Sequence, residues 1–319
     1  MLGPMISTSD VERAATRIRD RVRRTPVLAA DDGVWFKLEQ LQHTGSFKAR
    51  GAFNRIIAAG ELSAAGVVAA SGGNAGLAVA HAAREFGLAA RVYVPANAPA
   101  VKVAKLRKLG AAVELTGEKY ADAYDAAVKH AADSGALFCH AYDQPEICAG
   151  QGTLGLELLE QTGGLDTVLV AVGGGGLLAG VAAAVEGRAR VVGVEPRTIP
   201  TLNAALAAGE PVPVEVSGVA TDSLGATRLG DIAFAVATRT DAGSVLVDDA
   251  AIVEARATLW DRYRLAVEPG GATAFAALLS GAYRPAPGER VAVVLCGANT
   301  DPATLTSPTA APPAVRTPR

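Results

Sequence analysis

Lys48 stands where a cation is least welcome. It lies in QHTGSFKARGAF, residues 42–53, between a strand-like VWFKLEQL and AFNRIIAAG, whose apolar residues recur at helical spacing and stop on Gly60. Ser46 reads as the N-cap of that helix, so unpaired amides and the helix dipole surround Lys48 with partial positive charge. Such a setting disfavours an ammonium and pulls the pKa of the amine down, which makes a nucleophile of it. Taken alone, the same lysine also reads as a side chain turned into water; the rest of the chain decides.

Two glycine loops supply surroundings for it. In VAVGGGGLLAG, residues 170–180, Gly173, Gly174, Gly175 and Gly176 close a strand and open a helix. Glycine lets the backbone curl and present several N–H groups to one anion, and the helix N-terminus adds a favourable dipole. The reading is a phosphate cradle, since a tight turn alone needs one or two glycines. SGGNAGLAVA, residues 71–80, has the same placement. Ser71 and Asn74 donate hydrogen bonds there, and Gly72 and Gly73 let a carboxylate approach the backbone. A rival reading takes Gly174, Gly176 and Ala179 as G-x-G-x-x-A, with Glu195 at the end of the next strand on a ribose. It makes the protein an NAD-dependent oxidoreductase and leaves Lys48 without a role.

The elements that must position these loops follow from periodicity. From residue 34 onward, valine- and alanine-rich runs alternate with amphipathic segments, the pattern of parallel sheets covered on both faces, so the class is α/β. Strands are expected at 67–71, 91–95, 112–116 and 136–141, with helices starting near Asn74, Ala100 and Tyr120. A polar, glycine-containing connection, YDQPEICAGQGT, then leads to strands at 167–172, 190–195, 244–248 and 290–296. Two sheets imply a cleft between them. The expected division is a small domain, 48–145, and a large cofactor-binding domain made of 1–47 and 146–301, with Gly45, Gly51 and Gly150 as hinge points. Residues 302–319, rich in proline, read as a disordered tail.

Composition excludes several other functions. The chain has 319 residues, 50% hydrophobic and 19% charged, enough for a large core. Thirty basic against 32 acidic residues, with no basic cluster interleaved with aromatics, argue against nucleic acid as a partner. Cys139, Cys148 and Cys296 form no CxxC, which suggests a reducing compartment. Cys139 and His140, adjacent on an expected strand, point to opposite faces and make no metal pair. MLGPMISTSD shows no signal peptide, which points to the cytoplasm. Residues 167–185 carry no charge and a GxxxG, but four glycines, each costing a helix about 1 kcal/mol, argue against a membrane span.

An amine nucleophile, a carboxylate site and a phosphate site together resemble the fold type II pyridoxal-phosphate enzymes, specifically the serine/threonine dehydratase family. The resemblance runs from about residue 24 to 300, and its attachment signature is Glu39 followed by GSFKARGA. It implies two open twisted sheets flanked by helices with the active site in the interdomain cleft. It implies pyridoxal 5'-phosphate as cofactor, held by Lys48 as an imine, with Phe47 against the ring and Asn74 on its 3-hydroxyl. It places amides of Gly173, Gly174, Gly175, Gly176 and Leu177 on the phosphate, and Cys296 of VVLCGAN opposite the ring nitrogen. Lys48 and Ser71 are then catalytic, and Ser71, Gly72, Gly73 and Asn74 bind the substrate carboxylate. The implied reaction is β-elimination of water from L-threonine or L-serine, in a homodimer acting on a small amino acid.

Departures from the family sharpen this. Racemases of the family carry a second serine where Gly72 stands and a histidine where Ala75 stands, so poor racemisation is expected. The family's divalent-cation site matches at Glu195, but its second position is Thr201, so no metal is expected. Dehydration of 3-hydroxyaspartate differs from the implied reaction by one or two pocket residues. Glu268 in VEPGGA reads as a helix cap or a site residue, and Asp222-Ser223 replaces a family Asp-Gly pair.

Overall fold

The computed structural model describes residues 5–30 and 33–305, which build two sheets. Helix α1 (Thr8–Ile18), strands β1 (Val27–Ala29) and β2 (Val34–Lys37), and helix α2 (Lys48–Ala58) come first. Then β3 (Val67–Ala70), α3 (Asn74–Glu85), β4 (Ala90–Val94), α4 (Ala100–Lys108), β5 (Ala112–Leu115), α5 (Tyr120–Ser134) and β6 (Leu137–Phe138) alternate. They form a parallel sheet in the order β5-β4-β3-β6. After α6 (Pro145–Thr162) follow β7 (Thr167–Ala171), α7 (Gly176–Val185), β8 (Arg190–Pro196), α8 (Thr201–Ala208), α9 (Thr221–Leu224) and α10 (Asp231–Arg239). The remaining elements are β9 (Gly243–Val247), α11 (Asp249–Tyr263), α12 (Pro269–Leu279) and β10 (Val291–Val294). The second sheet runs β1-β2-β10-β7-β8-β9, parallel except where β1 meets β2.

Strands β3, β7 and β10 are buried at every position, as expected for parallel strands covered by helices on both faces. That double cover is why VVAA, TVLVA and VAVV read as unbroken apolar runs. The helices expected near Asn74, Ala100 and Tyr120 begin at those residues. Strand β6 is shorter than expected, because the chain leaves the sheet after Phe138 and turns around His140. Residues 167–185 divide into strand, glycine loop and helix, and among the described residues no helix is long and apolar enough to cross a membrane.

The stretch read as a polar connection is mostly helix. Pro145 opens α6, a position where its missing N–H costs nothing. The glycines of α6 allow close contacts that a side chain would block. A Cβ on Gly150 would lie 2.7 Å from the Cα of Gly51 in α2, and one on Gly152 would lie 2.4 Å from the carbonyl of Gly180 in α7. Gly51 and Gly150 therefore join two helices at a close crossing. Helix α6 touches both the helix that begins with Lys48 and the helix that follows the four-glycine loop. Of the tail expected from residue 302, Pro302–Leu305 form a 3-10 turn, and residues 306–319 lie outside the described part.

Candidate active site

Lys48 sits where the chain passes from one core to the other. Phe47 packs in the core of the six-stranded sheet, while Ala49, Ala52 and Phe53 pack in that of the four-stranded one. Ser46 is not the N-cap: Phe47 holds that position in helical geometry with no side-chain cap. The Ser46 hydroxyl is buried without a hydrogen-bond partner, two residues before the amine. The Lys48 Nζ donates to the carbonyl of Ala141 at 2.7 Å and lies 4.9 Å from the centre of the Phe47 ring. Burial is the chief cause that lowers its pKa to about 8, opposed by Cys148, Cys296 and Glu268.

A buried ion network anchors the first turns of α2. Arg50 pairs with Glu39 at 2.8 Å and with Glu157 of α6 at 2.7 Å, and Lys37 of β2 also pairs with Glu157. Two cations and two carboxylates balance, and every pair is hydrogen-bonded, which is the condition for charges to be tolerated in a core. The acidic residue of the attachment signature, Glu39, thus binds the arginine two positions after Lys48.

The four-glycine loop follows the carboxyl end of β7, where ligands of parallel sheets bind. The carbonyls of Gly173 and Gly174 are taken by the Thr201 hydroxyl at 2.5 Å and the Gly230 amide at 3.0 Å. Gly175 has φ +85°, and a Cβ on Gly174 would lie 2.3 Å from the Tyr142 ring. The first amides of α7, at Gly176 and Leu177, have no acceptor within their helix, and both residues line a cavity. The same cavity is lined by Phe47, Lys48, Asn74, Glu268 and Cys296. Ser71, Gly72 and Gly73 stand just before Asn74 and are not part of its wall; the Ser71 Oγ accepts from the amide of Gly73 at 3.2 Å.

Asn74 is held from both sides: its Nδ2 donates to Glu268 at 2.6 Å, and its Oδ1 accepts from Asn299 at 2.7 Å. An amide nitrogen carries two protons, so one donor remains for a ligand. Glu268 occupies the N-cap of α12, yet its side chain caps nothing and faces Asn74 instead. Burial raises its pKa, so it holds its proton more readily than a free glutamate. Burial also raises Cys296 to about 12; its neutral thiol donates to the Gly270 carbonyl at 3.5 Å.

Glu195 is elsewhere. Its carboxyl group accepts from the amides of Leu202 and Asn203 at 2.6 and 2.9 Å and lies 3.0 Å from the Thr201 hydroxyl, at the start of α8. It therefore serves a helix terminus rather than a ribose. Among the described residues no group of three potential metal-ligating side chains forms. Sequence reasoning missed Tyr142 and Leu224 on the cavity wall and Asn299 behind Asn74, and it noted Ser223 without giving it a role. Tyr142 lay in a segment read as a connection, and the asparagine of VVLCGAN stood in a quoted motif without a role.

An amine of lowered pKa that shares a cavity with the free amides of a helix start suits a cofactor bearing both an aldehyde and a phosphate, the class of an α/β cofactor-dependent enzyme. Comparison with known proteins narrows this. The model of the family described as "Pyridoxal-phosphate dependent enzyme" matches residues 18–297, and the chain belongs to that family. It is 36% identical to the L-threonine ammonia-lyase of Thermotoga maritima over 308 residues, 93% of this chain and 76% of that one. It is 39% identical to the phenylserine dehydratase of Ralstonia pickettii over 300 residues, 91% of this chain and 92% of that one. The solved structure of the T.th. threonine deaminase superposes with a TM-score of 0.86 at 36% identity, covering 92% of this chain and 99% of that one.

Proposed function

We propose that this protein removes water from L-threonine or L-serine by β-elimination and releases a 2-oxo acid and ammonia. The observation that carries the reading is Lys48, a buried amine lowered to about 8 and held on a carbonyl, with no ion-pair partner among the described residues. A surface lysine at pH 7 is almost wholly protonated; this one has an accessible neutral form. Its relatives named as threonine ammonia-lyase and phenylserine dehydratase support an elimination.

When bound, pyridoxal phosphate supplies a ring that withdraws electrons from the α-carbon of the substrate. The chain supplies the rest. Amides of Gly173 to Leu177 would hold the phosphate, Phe47 would wall the ring, the free donor of Asn74 would meet the ring hydroxyl, and the neutral Cys296 would face the ring nitrogen. The loop from Ser71 to Asn74 binds and orients the substrate carboxylate. The free Lys48 amine takes the α-proton, and the ammonium so formed supplies a proton to the departing β-hydroxyl, which leaves as water and returns the amine to its neutral form. Ammonia leaves by hydrolysis of the released enamine product.

Racemisation needs a proton donor on the face opposite the amine, and Gly72 has none to give. The reading includes residues 48–145 as a small domain closing on a large one of 1–47 and 146–301, a homodimer, and a cytoplasmic setting. Incubation with L-serine, followed by measurement of pyruvate and D-serine in the same samples, tests it. Pyruvate in large excess is the expected result; D-serine forming as fast as pyruvate would make the protein a racemase.

A further inference from the structure

The carbonyl that holds Lys48 belongs to a five-residue loop folded around one imidazole. The Nδ1 of His140 accepts the amides of Tyr142 at 3.1 Å and Asp143 at 2.8 Å. The His140 amide donates to the Gln144 Oε1 at 2.9 Å, whose Nε2 returns to the Phe138 carbonyl at 3.3 Å. Between these bonds, the Ala141 carbonyl meets the Lys48 amine. Tyr142 lays its ring where a Gly174 side chain would stand, and its carbonyl accepts from the Cys148 thiol at 3.0 Å. The carboxylate of Asp143 takes the amides of Asp231 and Ile232, both at 3.1 Å, at the start of α10. The loop thus touches the reactive amine, the glycine cradle and a helix of the other sheet at once.

We infer that His140 is a positioning residue for Lys48: as a neutral imidazole accepting two amides on Nδ1, it fixes the Ala141 carbonyl and the Tyr142 ring that together place the amine against the cradle. Two amides on one ring nitrogen require that nitrogen to be unprotonated, so the proton sits on Nε2. The surroundings keep it so. Burial lowers the His140 pKa to about 4, with Asp143 acting to raise it and Lys48 to lower it. The ring is walled by Tyr124 of α5, Phe138 of β6 and Tyr142. His140 touches no reacting atom; it acts through the loop.

The inference rests on the reading of Lys48 as the attachment lysine, and its test separates the two. Full-length holoenzyme is compared with His140→Leu and His140→Asn. The readouts are the pH midpoint of the visible absorbance of the bound cofactor and the rate at which hydroxylamine releases it. Asparagine offers an acceptor oxygen where Nδ1 stood, and leucine fills the space with none. His140→Leu is expected to lose cofactor on the order of tenfold faster with a shifted midpoint, and His140→Asn to stay within about twofold of wild type. Wild-type rate and midpoint in His140→Leu overturn the inference. So does failure of His140→Asn to restore them in protein that melts with the wild type, and this second variant decides alone where the leucine variant does not fold. A chromophore that persists unchanged in Lys48→Ala overturns the attachment reading, and the inference with it.

Discussion

An amine with a pKa near 8 in the folded chain and 10.5 in the unfolded one binds fewer protons when folded across that interval. The unfolded state then holds the extra proton, so stability rises with pH from about 8 to 10.5, and below 8 the cost of burying Lys48 is present in full. Lys48→Met removes the charge at nearly constant volume. The apoprotein variant is expected to be more stable than the wild type at pH 7, by up to about 3 kcal/mol, with the advantage shrinking toward pH 10.5. Urea denaturation of both apoproteins at pH 7 and pH 10 checks this, and an equal difference at the two values contradicts it. The sequence made the low pKa legible through position at a helix start, yet the main cause is burial between two cores, which no local pattern reports. For the same reason Glu268 read ambiguously: its partner, Asn74, is 194 residues away.

At the scale of elements, α6 is where sequence reasoning failed and where the structure is most constrained. Its glycines look like loop residues because each weakens an isolated helix. Tertiary contact overrides that preference, since the closest crossings of α6 with α2 and α7 leave no room for a side chain. Gly150→Ala would place a methyl 2.6 Å from the Arg50 carbonyl and 2.7 Å from the Gly51 Cα. Forcing these helices apart is expected to cost about 1–3 kcal/mol and, because α2 begins with Lys48, to weaken cofactor binding as well. Equal urea midpoints for variant and wild type would contradict the account of this crossing. By contrast, strands β3, β7 and β10 and helices α3, α4 and α5 were legible, because burial on both faces and clean helix starts leave marks within a few residues.

For the molecule as a whole, the site lies where loops at the carboxyl ends of strands from two sheets meet. The four-glycine loop follows β7, Cys296 follows β10, Asn74 comes from the segment after β3 and the His140 loop follows β6. The alternation of strands and helices forecast two parallel sheets, and motif order forecast most of the cavity wall. What it left out were the residues joining one sheet to the other, Tyr142 and Asn299 among them, because such contacts carry no periodicity. On the proposed reading, an amine held between the two sheets performs the elimination. The most direct measurement is 2-oxo acid release from L-threonine and L-serine, with pyridoxal phosphate present, by the wild type and Lys48→Ala side by side. Release by the wild type alone is the predicted result; no release from either amino acid by wild-type protein that holds the cofactor, or equal release by Lys48→Ala, would contradict it.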